Sequence, residues 1–236
     1  MSTRFEELAW QQTPMGEISL RRRLDPALDT QVYEVKLGDE FLMSSLFTVA
    51  EEELARLGLA EAGAGPLDVV VGGLGLGYTA RTVLDDERVR SLVVVDALAE
   101  VIDWHRRGLL PFAAALNTDA RCRLVQGDFF ALTAGPDGYD PDRPARRFHA
   151  VLLDVDHSPR HLLHPRHAPF YTADGLRRLA AHMHPAGVFG LWSNDPPDDA
   201  FTAVLGEVFA TVRADVVSFP NPLQSRTSTN TVYVAH

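Results

Sequence analysis

The sequence predicts an α/β protein: a mostly parallel, seven-stranded sheet with an antiparallel C-terminal strand, plus a small N-terminal β element. Three observations carry this. From Leu67 onward short apolar runs alternate with helix-compatible stretches, a glycine-rich turn joins the first run to the first stretch, and the last two runs have no helix between them. Strand–helix alternation favours parallel strands covered on both faces, whereas strands joined directly lie antiparallel. At 236 residues the chain suits one main core with an appendage. The expected division is a β-rich element over residues 1–50 and the α/β domain over 51–236.

Each element has its own signal. Residues 14–47 read as short extended pieces, with Ile18–Leu20 and Gln31–Val35 alternating between faces and Leu37-Gly38-Asp39 supplying a turn. Thr48 followed by Glu51 forms a capping-box pattern ahead of a helix over Val49–Leu57. Strands are expected at 67–71, 91–95, 123–126, 150–153, 188–192, 214–219 and 229–235. Helices are expected at 78–84, 99–107, 174–182 and 199–209. Residues 135–147, rich in Pro, Gly, Asp and Arg, read as an exposed, mobile loop.

Composition narrows the function classes. A formal net charge of −10 argues against a sequence-independent grip on nucleic acid, which needs clustered Lys and Arg. One cysteine, Cys122, leaves no intrachain disulfide framework, so the expected setting is cytoplasmic. No apolar run approaches the roughly 18 to 20 residues that cross a bilayer, and no signal peptide is expected.

Gly73, Gly75 and Gly77 fall between a strand and a helix, where absent side chains let backbone N–H groups approach a ligand closely. The spacing departs from the dinucleotide form G-x-G-x-x-G, which disfavours pyrophosphate. Asp96 lies 19 positions after Gly77, directly after the second strand, where a carboxylate can accept from both ribose hydroxyls. Gly127 and Asp128 follow the third strand, and Asp128 is placed to meet an exocyclic adenine amine or to form a plain Gly-Asp turn. Together these predict a Rossmann-like nucleoside site.

The run Ala150 to Pro159 takes a buried strand into Asp154, Asp156 and His157 at the sheet edge where open α/β folds place ligands. Asp154 suits a group that holds or deprotonates an attacking amine or hydroxyl. Asp156 and His157 are its candidate partners or turn formers. His157, His161, His164 and His167 crowd one segment, but Pro159 and Pro165 interrupt any helix there and no cysteine joins them, so no metal site is expected. Asp154 with Asn194-Asp195 as oxygen ligands for Mg²⁺ is the weaker alternative.

In order along the chain, Asp39-Glu-Phe41, the Gly72–Gly77 turn, Asp96, Gly127-Asp128, Asp154 and Phe170-Tyr171 resemble the spermidine synthases, over residues 14 to 235. The resemblance implies a fold shared with class I methyltransferases, S-adenosylmethionine or decarboxylated S-adenosylmethionine as cofactor, and a homodimer. It also implies that Asp96 and Asp128 contact the nucleoside and that Asp154 is the catalytic aspartate. Three departures fall elsewhere: Leu42-Met-Ser-Ser-Leu46 replaces a Tyr-His-Glu segment that holds polyamine, Leu74 replaces an acidic residue, and Asp154-Val-Asp-His-Ser-Pro159 replaces an Asp-Ser-Ser-Asp-Pro loop. The expected activity is therefore a transferase alkylating a small-molecule amine or hydroxyl acceptor, with an atypical polyamine site. The alternatives are a small-molecule methyltransferase and a noncatalytic nucleoside-binding protein of the same fold.

Overall fold

The structure is a computed structural model that describes residues 5–26, 28–221, 224 and 226–236. Two sheets organise the chain. The first is antiparallel, in the order β1 (Phe5–Thr13), β2 (Gly16–Asp25), β3 (Thr30–Leu37) and β4 (Glu40–Ser44). The second has seven strands: β5 (Leu67–Gly72), β6 (Val89–Asp96), β7 (Cys122–Gln126), β8 (Phe148–Leu153), β9 (Met183–Ser193), β10 (Val212–Asn221) and β11 (Arg226–Ala235). Their spatial order is β10-β11-β9-β8-β5-β6-β7. Pairings among β9, β8, β5, β6 and β7 are parallel, and β11 runs antiparallel to both its neighbours.

Every residue of β5 is buried, as a near-continuous Leu/Val run requires when helices cover both faces. One face carries α1 (Val49–Glu61), α2 (Tyr78–Asp85), α3 (Ala99–Arg106) and α4 (Ala113–Thr118), which share a core with Ile18, Leu20 and Val35 of the first sheet. The other carries α5 (Phe129–Ala134), α6 (Ala173–Ala181) and α7 (Asp199–Gly206), packed on Phe148, Phe189 and Tyr233. Helix α1 lies close on the sheet because Gly58 admits it: a Cβ there would stand 2.6 Å from Leu152. That approach places the first turn of α1 at the carboxyl ends of β5 and β8.

Two expectations differ from the structure, and one strand lies outside the segments read as extended. Phe5–Thr13 is a strand although its sequence does not alternate cleanly, because a register shift between Glu7 and Ala9 breaks the two-residue period. Thr48 makes no side-chain cap bond; its hydroxyl donates to Glu52 Oε1 at 3.3 Å, and Glu51 turns inward instead of back toward Thr48. The segment 135–147 is pinned, not loose. Tyr139 is fully buried and Asp140 nearly so, and Arg146 Nη1 donates to Asp140 Oδ2 at 2.8 Å.

Candidate functional site

The site forms where β5, β6 and β8 end together. Gly73 and Gly75 have φ of +95° and +46°, in the left-handed region. Space is as restrictive as conformation: a Cβ on Gly73 would lie 2.0 Å from the Asp154 carbonyl oxygen, and one on Gly75 would lie 2.5 Å from Met43 Sδ. The turn is thus clamped between the residue that follows β8 and the strand β4. Met43 Sδ also accepts the Leu76 N–H at 2.9 Å.

Asp96 closes the turn from the other side. Its Oδ2 accepts the Leu74 N–H at 2.9 Å and its Oδ1 the Leu98 N–H at 2.8 Å. A carboxylate has about four lone-pair sites, and the Gly75 N–H also acts on Asp96, so capacity is left for one ligand hydroxyl. Burial raises the Asp96 pKa above the ordinary carboxylate value, with the backbone donors opposing. Asp128 is the N-cap of α5, and its Oδ1 accepts the N–H groups of Phe130 and Ala131 at 2.9 and 3.1 Å.

These residues face one cleft of about 200 Å³. Asp96, Asp128 and Asp154 are polar groups of its lining, with Gly73, Gly75 and His157; Val95, Leu98, Val101 and Phe130 supply apolar wall. Met15, Val35, Leu37 and Met43 close it from the first sheet. Gly77 and Gly127 lie outside this lining. Gly77 starts α2, where a Cβ would meet His105 at 2.9 Å, and Gly127 packs against Leu132 while its N–H donates to the Asp96 carbonyl.

Asp154 sits at the cleft floor, its N–H donating to the Gly72 carbonyl at 2.8 Å and its Oδ2 accepting from Thr79 Oγ1 at 3.0 Å. Desolvation pushes its pKa up to about 6, against the Thr79 bond. Glu51 of α1 joins the same cleft, 8% exposed. Its pKa rises to about 8, first through burial and then through the charge of Asp154. Two carboxyls that cannot both ionise cheaply hold one proton between them near neutral pH. Sequence reasoning assigned Glu51 to a helix cap; the signal that marks it is an acid on the sheet-facing side of an amphipathic helix.

The neighbours proposed for Asp154 separate. Asp156 is 1% exposed and turned away from the cleft: its Oδ1 accepts from Leu163 N–H and His167 Nδ1, both at 2.8 Å, and its Oδ2 accepts from the Tyr171 hydroxyl at 2.8 Å. It ties the segment after β8 to the 3₁₀ helix Pro165–Tyr171 and so aims His167, which lines the cleft stacked 3.9 Å from Phe130. His157 lines the cleft beside Glu40, at 3.2 Å. His161 pairs with Asp195 at 2.8 Å, and His164 Nδ1 accepts the Arg166 N–H at 3.1 Å, so the four histidines serve four different partners.

Among the described residues, Asp68, His149 and His184 bring donor atoms together closely enough for a metal, at the opposite edge of the sheet. Asp68 already accepts from Arg90 and Arg146, and His149 Nδ1 faces the Asp68 N–H at 3.0 Å, so the donor set is largely spent.

Comparison with known proteins gives these relationships. No family model matches the chain. It is 30% identical over 171 residues to polyamine aminopropyltransferase 2 of Pseudomonas aeruginosa, which covers 68% of this chain and 44% of that protein. The chain thus spans less than half of that relative's length. It is 28% identical over 144 residues to ribosomal RNA large subunit methyltransferase H of Cupriavidus taiwanensis, over 61% of this chain and 70% of that one. Among solved structures, spermidine synthase from Thermotoga maritima superposes with a TM-score of 0.72 at 17% identity, over 97% of this chain and 72% of that one. A spermidine synthase bound to the transition-state analogue AdoDATO gives 0.71 at 16%, over 97% and 71%. The chain has a spermidine synthase-like fold, and the relatives it matches in sequence are named as transferases.

Proposed function

We propose that this chain transfers an alkyl carbon from S-adenosylmethionine or its decarboxylated form to an amine or similar nucleophile on a small molecule. The supporting observation is that Glu51, Asp96, Asp128 and Asp154 line one cleft, beside His157, His164, Arg166, His167 and apolar side chains, at the carboxyl edge of a spermidine synthase-like sheet. The donor set fits such a ligand: Asp96 suits a ribose hydroxyl, Val95, Leu98 and Phe130 suit a flat base, and the acidic floor suits a cation. When bound, the sulfonium supplies an electrophilic carbon for in-line displacement.

The chain's own residues then have separable tasks. Asp154, ionised above about pH 6, accepts the proton of the attacking nucleophile at Oδ1 or Oδ2. Thr79 fixes its orientation through the 3.0 Å bond to Oδ2. Glu51, protonated at neutral pH, offers a hydrogen bond where a second anion would compete for that proton. The first sheet covers the cleft and excludes water, so positioning supplies much of the rate.

Methyl transfer is the second reading, supported by the sequence likeness to the Cupriavidus methyltransferase. Calorimetric titration with S-adenosylmethionine, its decarboxylated form and methylthioadenosine, followed by mass spectrometry of products from a mixed acceptor pool, tests both. Binding of at least one ligand with an acceptor mass gain is expected, and the mass added identifies the group. No binding to any of the three overturns the proposal.

A further inference from the structure

The cofactor cleft opens into a second, wider one of about 520 Å³ between β4, the segment after β9 and the β10–β11 hairpin. The two share Leu42, Met43, Glu51, His157 and Trp192, so Glu51 stands at the neck beside Asp154. Beyond the neck the polar lining includes Asn194, Asn221, Arg226, Thr227, Thr229 and Asn230, with Ser44 and Ser228. Among the described lining residues of this second cleft, Glu51 is the one carboxyl and Arg226 the one guanidinium.

We propose that the second cleft is the acceptor subsite and that it selects a nucleophile attached to a carboxylate, excluding the polyammonium chains that a polyamine site takes. This rests on the transferase reading above. A distal ammonium entering the cleft would meet Arg226 and neutral amides, a cation beside a cation with no compensating anion. Glu51, the one carboxyl in the described lining, stands at the neck beside Asp154 and not among the groups around Arg226. Glu40, the nearby acid on β4, lies outside the lining and is engaged with His157 at 3.2 Å.

An anionic group meets the opposite situation. Arg226 Nε donates to Gln224 Oε1 at 2.6 Å, and among the described residues its two terminal nitrogens have no partner, leaving a fork of the geometry that binds carboxylates two-pronged. The amides around it are already ordered: Asn230 Nδ2 donates to Asn194 Oδ1 at 3.0 Å, and Asn221 Nδ2 donates to Ser228 Oγ at 2.9 Å. The Asn194 amide N–H₂ and the Thr227 and Thr229 hydroxyls supply further neutral donors. All are neutral, so none supplies the counter-charge that would pair with an ammonium.

Putrescine and ornithine form a matched pair of probes, the second being the first with a carboxylate added. Equilibrium dialysis of each against the full chain saturated with methylthioadenosine reads acceptor binding without requiring turnover. Ornithine is expected to bind about tenfold or more tightly than putrescine, the scale of one charge-assisted hydrogen-bond pair. Arg226→Glu is expected to reverse that order, and Arg226→Lys to retain part of it. Equal binding, tighter putrescine binding, binding of neither, or an order unchanged in Arg226→Glu overturns the subsite proposal. Failure of methylthioadenosine itself to bind overturns the transferase reading instead, so the two failures are distinguishable.

Discussion

The two edges of the seven-stranded sheet use the same side chain in opposite ways. At the amino edge, Asp68 accepts from Arg90 at 2.8 and 2.6 Å and from Arg146 at 2.8 Å, while Asp140 is held by Arg123 and Arg146. Burial alone would raise both carboxyls, but the guanidinium groups outweigh it and hold them below their ordinary value. At the carboxyl edge, Asp96 and Asp154 are served by neutral donors, and burial prevails and raises them. An acid paired with arginine has its charge satisfied within the chain; one held by amide N–H and hydroxyl groups retains capacity for a ligand or a proton.

That contrast is open to test, most severely at Asp154. Asp154→Asn is expected to lower kcat by roughly a thousandfold, the mid-range for losing a general base, while methylthioadenosine affinity stays within about threefold. Steady-state turnover beside calorimetry checks this; a parallel loss of binding and rate would make Asp154 a binding group only.

Glu51→Gln probes the same edge through stability. The folded chain holds the Glu51 proton more tightly than the unfolded one, whose value is about 4.5, so wild-type stability falls as pH rises from there through about 8. The glutamine variant lacks that loss and is expected to be more stable than wild type at pH 8.5 by on the order of 3 kcal/mol, with the two converging near pH 4. Urea melts at both pH values read the difference, and parallel pH profiles would remove Glu51 from its assigned state.

Arg146→Ala addresses the amino edge. Arg90 and Arg123 remain to hold the two acids, so the expected cost is about 2 kcal/mol, below the usual penalty for leaving a buried charge unpaired. Because these carboxyls are depressed, the arginine contribution is present above the ordinary Asp value and is lost as pH falls through the lower folded value. Methylthioadenosine affinity is expected to stay unchanged, and a change would show the two edges to be coupled.

Much of this was legible in the sequence because the carboxyl edge is built from local signals. Asp96 and Asp154 each end an apolar run, and the glycines between β5 and α2 announce themselves by spacing. Glu51 was not legible. Its role depends on α1 packing against β8 and β9, which brings together residues more than a hundred positions apart. Asp156 misled for the opposite reason: it is two residues from Asp154, but the chain leaves the strand at Leu153, so the two side chains no longer share a face. The segment 135–147 has loop composition, and only Tyr139 stacked 4.9 Å from Phe129 and the arginines around Asp140 show that it is anchored.

The Met43 contact with the glycine turn makes the first sheet a wall of the cleft and not merely its neighbour. A ligand held there touches both sheets at once, so its binding energy is also adhesion energy between them. In thermodynamic terms the ligand is a fastener: each tenfold rise in its concentration above Kd adds about 1.4 kcal/mol against separating the sheets, and hydrogen exchange along β3 and β4 should slow in step with occupancy at the far side of the turn.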